Sequence, residues 1–288
     1  MTKNPPPFPR RFIFHANAVA ADVFLTKVNG EERTIFHQID GESTLAPIGG
    51  VSENRVPCPK FEAPLSEVFF YSGCHTSAEG ILKGGLLTGA EAITTAHASV
   101  EEIRITNREK KGSPDISFHA RSLSLTIRTT NKFGEEPRFE MIEIPVFKGL
   151  SLAGRPIELY LNEEFMECTR YSDLEKKYKT DQKFYESCTF GCTNPTYKFG
   201  DDIPRSPGSM AVCSLVRGIK WGDEEVQGHM LVARGFGVIY FGEVLLNEGE
   251  RWVTMVRTQL GCENSGETVH CATDPNGSTS PPTGGGRS

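Results

Sequence analysis

The amino-acid sequence predicts an all-β protein, an antiparallel sandwich or distorted barrel with one amphipathic helix near residues 173–187. Three observations carry that expectation. Short apolar and β-branched runs recur between Gly, Pro and Asn residues without a 3.6-residue period. Asn29-Gly30 joins two such runs, and this dipeptide suits the two positive-φ positions of a type I′ hairpin turn. Phe236–Leu246 (FGVIYFGEVLL) is apolar on both parities, as a strand covered on both faces would be.

In chain order, residues 1–9 hold four prolines and are expected to be extended and poorly ordered, because proline donates no ladder hydrogen bond and restricts its predecessor. Residues 10–273 are expected to form a single β-rich domain, since no linker divides them. Its first hairpin is residues 11–28 returning as 31–39. Further strands are expected at 67–78, 93–106, 115–130, 138–152 and 156–161. In 115–130 the apolar positions change parity between Ile116, Phe118 and Leu123, Leu125, Ile127, so an extra residue, a β-bulge near 120–122, is expected.

One segment reads differently. Ser172-Asp173-Leu174-Glu175 has the pattern of a capping box, and Leu174, Tyr178, Tyr185 and Cys188 follow at helical spacing. With the helix, residues 171–209 include a long irregular loop rich in Gly and Pro, the kind of segment in which function concentrates. Strands are expected again at 210–218, 229–246 and 251–260, the last two joined by the turn Asn247-Glu248-Gly249-Glu250. Glu263–Val269 reads as a polar loop, and 274–288, without an apolar residue, as a flexible tail.

A net charge of −6 and a pI near 5.7 exclude a general binder of nucleic acid or anionic membrane, which needs clustered Lys and Arg. No run approaches the ~18 apolar residues of a spanning helix. The opening MTKNPPPFPRR puts prolines and arginines where a secretion signal needs an apolar stretch, so a soluble, cytoplasmic protein is expected. The eight cysteines are then expected to be free thiols, with Cys262 not bridged to Cys271.

The chain carries no P-loop, His-Glu-x-x-His, Gly-x-Ser-x-Gly, EF-hand or Cys-x-x-Cys motif. Gly235-Phe236-Gly237 with Gly242 is not a dinucleotide fingerprint, because these glycines lie at and inside a strand instead of opening a helix. Cys188 and Cys192 have no matching second pair. Cys262, His270 and Cys271 are the weak candidates for a metal, and none is assigned. Adjacent carboxylates such as Glu101-Glu102 point to opposite faces of a strand. The ligand-binding candidates are His75, His97, His119 and Tyr240: the three histidines fall in different strands, and convergence on a barrel interior would place imidazoles, neutral and basic near pH 7, around one pocket.

The blocks Ser99–Ile103, Gly149–Ile157 and above all Gly235–Val244 (GFGVIYFGEV) resemble segments of uncharacterised bacterial all-β proteins. The resemblance implies an all-β fold and no activity. The function expected is a non-catalytic binding or structural β domain of unknown protein or small-molecule partner. The alternative is a small-molecule enzyme, or a metal- or ligand-binding barrel, using the strand histidines in an internal pocket. An internal cavity with convergent polar groups would favour the alternative, and an apolar filling the first reading.

Overall fold

A computed structural model describes residues 14–29, 32–57, 59–84, 90–107, 115–132, 135–189, 199–200, 211–246, 251–260 and 264–274, with 24–29, 32–35, 189, 211–212 and 264–274 described through their backbone. The elements in chain order are β1 (His15–Asn29), β2 (Glu32–Thr44), β3 (Gly50–Val56), α1 (Leu65–Val68), β4 (Phe69–Phe70), β5 (Gly73–Lys83), β6 (Glu91–Asn107), β7 (Ile116–Lys132), β8 (Arg138–Met141), β9 (Val146–Lys148), β10 (Ser151–Leu152) and β11 (Arg155–Leu161). There follow α2 (Glu163–Met166), α3 (Tyr171–Thr180), α4 (Gln182–Thr189), β12 (Ala211–Ser214), β13 (Val216–Trp221), β14 (Glu224–Gln227), β15 (Met230–Ala233), β16 (Gly237–Leu246), β17 (Arg251–Leu260) and β18 (Asn264–Asp274).

The strands form two antiparallel sheets. The smaller has the order β12-β16-β17-β18-β1-β2, with β15 also on β16; the larger has the order β14-β13-β11-β10-β7-β6-β5-β3, with β4 on β6 and β8 and β9 on β7. Among the described residues both sheets keep open edges and no barrel closes. Strands β1 and β18 lie across β5, β6 and β7. Much of this interface is alanine: Ala16, Ala18 and Ala20 of β1, Ala78 of β5, and Ala96 and Ala98 of β6 are buried. Small side chains let the two sheets pack closely there. Elsewhere larger groups fill the layer, as where the Phe118 and Phe241 rings lie 6.0 Å apart.

A row of irregular positions crosses each sheet. In the smaller one Val19↔Glu42 and Ala21↔Asp40 pair while Ala20 and Gly41 between them do not. The same row is skipped between β1 and β18, between β18 and β17 at Met255, and between β17 and β16 at Gly242. Gly41 and Gly242 have φ of 61° and 63°. In the larger sheet Glu102, with φ 52°, and Arg121 fall between the pairs Glu101↔Ser122 and Ile103↔Ala120, and Gly149, with φ 65°, continues the row. A left-handed residue turns the next side chain to the other face without lengthening the strand. In β6 the buried set therefore changes from Ala92, Ala96, Ala98 and Val100 to Ile103 and Ile105, and in β7 from Leu123, Leu125 and Ile127 to Phe118 and Ala120. The parity change expected near 120–122 is real, but no residue is inserted: the register is the same on both sides, so a paired crease replaces the bulge.

The Asn29-Gly30 hairpin forms, closing at Asn29↔Glu32 with residues 30 and 31 outside the described set. The expected strand 138–152 is three short ones, and 229–246 is the hairpin β15–β16. The expected single helix is α3 and α4, broken at Asp181, whose Oδ1 accepts from Phe184 N. Nor does the capping box form: the N-cap is Arg170, and the Glu136 carboxylate instead accepts from Ser172 N at 2.8 Å and from its Oγ. The supposed polar loop 263–269 belongs largely to β18, which joins β17 to β1 and carries the sheet through Asp274. Residues 1–9, Cys58, Cys192, Cys262 and most of the 190–209 loop and the 274–288 tail lie outside the described residues.

Candidate functional site

The outer face of the larger sheet, on the β5–β8 side of the crease, carries a continuous polar strip. Its side chains come from alternate positions, because the intervening ones face the core. Cross-strand register sets the rows: Ser77, His97 and Thr126 form one, and His75, Ser99 and Ser124 the next. His75 and His97 are thus diagonal neighbours, with ring centroids 5.1 Å apart and planes at 51°. His75 Nε2 is 2.9 Å from Glu53 Oε1, and Arg55 Nε donates to the same oxygen at 2.8 Å. Arg55 first, and His75 after it, hold the Glu53 carboxyl below its ordinary range. His97 Nδ1 is 2.9 Å from Thr126 Oγ1. Partial burial and the nearby His75 lower the His97 pKa, against a smaller opposing effect of Glu143.

The strip ends in a charged groove. Lys83, Glu91 and Lys132 form its outermost row, Ile93, Thr130 and Arg138 the next, and Arg128 and Glu140 a third. The groove measures about 210 Å³.

Sequence reasoning placed the histidines in an interior, and the structure corrects this. His75 and His97 come together on an outer face, while the buried positions beside them are Ala78, Ala96 and Ala98. His119 is exposed beyond the crease, opposite Arg104 and Ser151, and does not join them. Tyr240 lies on the other sheet, buried beneath the Arg257 guanidinium, whose carbon stands 3.7 Å from the ring centroid. Cys262 lies outside the described residues, and only the backbone of His270 and Cys271 is described. Cys74, Cys168, Cys188 and Cys213 are free thiols. Among the described residues no group of three His, Cys, Asp or Glu side chains is arranged to hold a metal.

Tyr240 belongs to a cluster that sequence reasoning missed. Arg257 donates through Nε and Nη2 to both oxygens of Glu243, and His229 Nε2 stands 3.8 Å from Glu243 Oε1. His229 is fully buried, and neither ring nitrogen has a hydrogen-bond partner among the described residues. Burial works to raise the Glu243 pKa, but the Arg257 hydrogen bonds and charge, with the nearby His229, outweigh it, and the carboxyl lies below its ordinary range. The pairing Tyr240↔Arg257 across β16 and β17 builds this cluster. The hairpin was legible in the sequence. The position of His229, just before β15, was not.

Fold and site together define a two-sheet antiparallel β protein whose polar side chains concentrate on an outer sheet face. Residues 12–247 match a family model described as a domain of unknown function (DUF8256), and the chain belongs to that family. No curated protein and no solved structure matches it. No helix among the described residues is long and apolar enough to cross a membrane.

Proposed function

We propose that this chain is a non-catalytic binding or structural β domain, with the outer face of the larger sheet as its contact surface for a protein or small-molecule partner. The observation that carries the reading is the division of labour between the two faces of that sheet. Inward positions are filled mainly by Ala, Phe, Leu, Ile and Val, with Thr76, Thr94 and Thr129 among them, whereas His75, His97, Ser99, Ser124, Thr126 and Arg128 share the outer one. An enzyme site of the internal kind needs a cavity with convergent polar groups, and the apolar filling argues against one here. The net charge of −6 supports a partner other than nucleic acid or anionic membrane. The bacterial cytoplasm is the setting proposed, in keeping with the resemblance of the Gly235–Val244 block to segments of bacterial proteins.

A native mass spectrum of the protein isolated from its own cells tests this. The expected result is a metal-free chain with a discrete small molecule or protein bound, lost from a folded His75→Ala/His97→Ala variant. One observation favours a second reading, ligand or metal binding by histidine: His75 and His97 lie together with Glu53 within hydrogen-bond reach. That reading predicts a melting midpoint raised by Zn²⁺ or Ni²⁺, lowered by chelator, and insensitive to both in His75→Ala and His97→Ala. His119→Ala should respond as wild type does.

A further inference from the structure

We propose that the charged groove at the end of the outer face binds a small zwitterion, an α-amino acid with a long polar side chain. The proposal rests on the reading of this face as the contact surface and names the ligand class for one part of it. Arg128 Nε is buried and donates no hydrogen bond to any described residue, although its side chain lines the groove. A buried guanidinium donor is costly to leave unmade, and its planar fork matches a carboxylate. Glu140 stands directly opposite Arg128 in the β7–β8 register, and Glu91 lies between Lys83 and Lys132, yet none of these five forms an ion pair with another described residue. Cations and carboxylates therefore face the groove side by side, uncommitted. Glu136 differs, because Ser172 engages its carboxylate.

This alternation selects the ligand. A simple anion would meet the glutamates and a simple cation would meet Arg128 and the lysines; a molecule carrying both charges close together satisfies both. The ligand carboxylate pairs with Arg128 and its ammonium with Glu140. Its side chain then runs past Ile93 and Thr130 toward Lys83, Glu91 and Lys132. At ~3.3 Å per residue, the four residues from Arg128 to Lys132 span about 13 Å, room for a long side chain and its polar end. A groove of about 210 Å³ has the volume of about seven waters, in keeping with one free amino acid.

The test is calorimetric titration and thermal melting of the full chain with L-glutamine, L-glutamate and L-arginine, each also as its N-acetyl and its carboxamide derivative. At least one parent amino acid should bind saturably at up to millimolar concentration. Both of its blocked derivatives should bind about tenfold or more weakly. Arg128→Gln should abolish binding, Arg128→Lys should weaken it while keeping the charge, Glu140→Gln should weaken it, and His119→Ala, beyond the crease, should leave it unchanged. No binding by any parent overturns the proposal. So does an N-acetyl derivative that binds as well as its parent, which would mark a plain anion site, or binding that survives Arg128→Gln in a protein with wild-type circular dichroism. A ligand lost in His97→Ala but kept in Arg128→Gln overturns the groove and leaves the contact face standing. The contact face falls separately, on the native mass spectrum of the His75→Ala/His97→Ala variant.

Discussion

Two buried or half-buried side chains tie stability to pH with separate windows. His97 has a folded-state pKa below its ordinary 6.5, through burial and then through His75. The unfolded chain therefore binds a proton more readily than the folded one. The stability this contributes is present above about pH 6.5 and is lost as pH falls through the folded-state value. Glu243 also has a depressed folded-state pKa, because Arg257 and His229 overcome the effect of burial. Its contribution is present above the ordinary carboxylate value of 4.5 and is lost as pH falls through the lower folded-state value. Urea denaturation from about pH 8 to about pH 3 should thus show two successive losses of midpoint. His97→Gln should remove the first loss. Glu243→Gln should shrink the second, leaving what the Glu53 carboxyl contributes in the same window, and lower the midpoint at neutral pH, because Arg257 then sits over Tyr240 without its carboxylate. At this scale the sequence showed Tyr240 as a polar group in an apolar strand, but not what it meets. Arg257 and Glu243 are ordinary charges until the β16–β17 register sets them on one face.

Among elements, the crease decides which side of each strand is buried. Gly41 holds φ 61° where a Cβ would stand 2.5 Å from Cys74 Sγ and 2.7 Å from Ala20 Cβ. Gly41→Ala therefore combines backbone strain with overpacking and should cost about 2–4 kcal/mol. Gly154 separates the two. It holds φ 75° in the turn between β10 and β11, with nothing within 4 Å of a Cβ, so Gly154→Ala should cost only about 1 kcal/mol. Equal urea midpoint shifts for the two variants would mean that contact with Cys74 and Ala20 adds nothing. The parity change of β7 was legible because its apolar residues are in β7 itself. Its cause was not, because the left-handed residue, Glu102, lies on the neighbouring strand. The helix break at Asp181 was hidden for a related reason: the apolar spacing of Leu174, Tyr178 and Tyr185 runs through it, while Asp181 caps the second helix. The capping box gave way to Glu136, a carboxylate from another segment that offers the Ser172 amide the same negative partner.

For the molecule as a whole, β17 and β18 lie beyond residue 247, where the family match ends, yet they stand in the middle of the smaller sheet. β16 reaches β1 only through them. A chain ending at residue 247 would lose Val253, Met255, Val256 and Leu260 from the core and leave β16 and β1 with new unpaired edges. It should show no cooperative thermal transition by circular dichroism, whereas the full chain should unfold cooperatively. A cooperative transition in the shortened chain would mean that β17 and β18 are an appendage to the sandwich.

The sequence by itself determined the fold class, because strand alternation and turn dipeptides are local and need no partner to be read. It determined the first hairpin for the same reason, and the apolar character of β16, which is buried on both faces over Ile239–Gly242 and half-buried at Val238, Glu243 and Leu245. Tertiary structure alone decided which face each histidine occupies, since the crease at Glu102 and Arg121 reverses that choice along β6 and β7. It also decided that β18, polar in composition, is a central strand: its place comes from ladder hydrogen bonds to β17 and β1, and a backbone ladder leaves no mark in side-chain hydropathy.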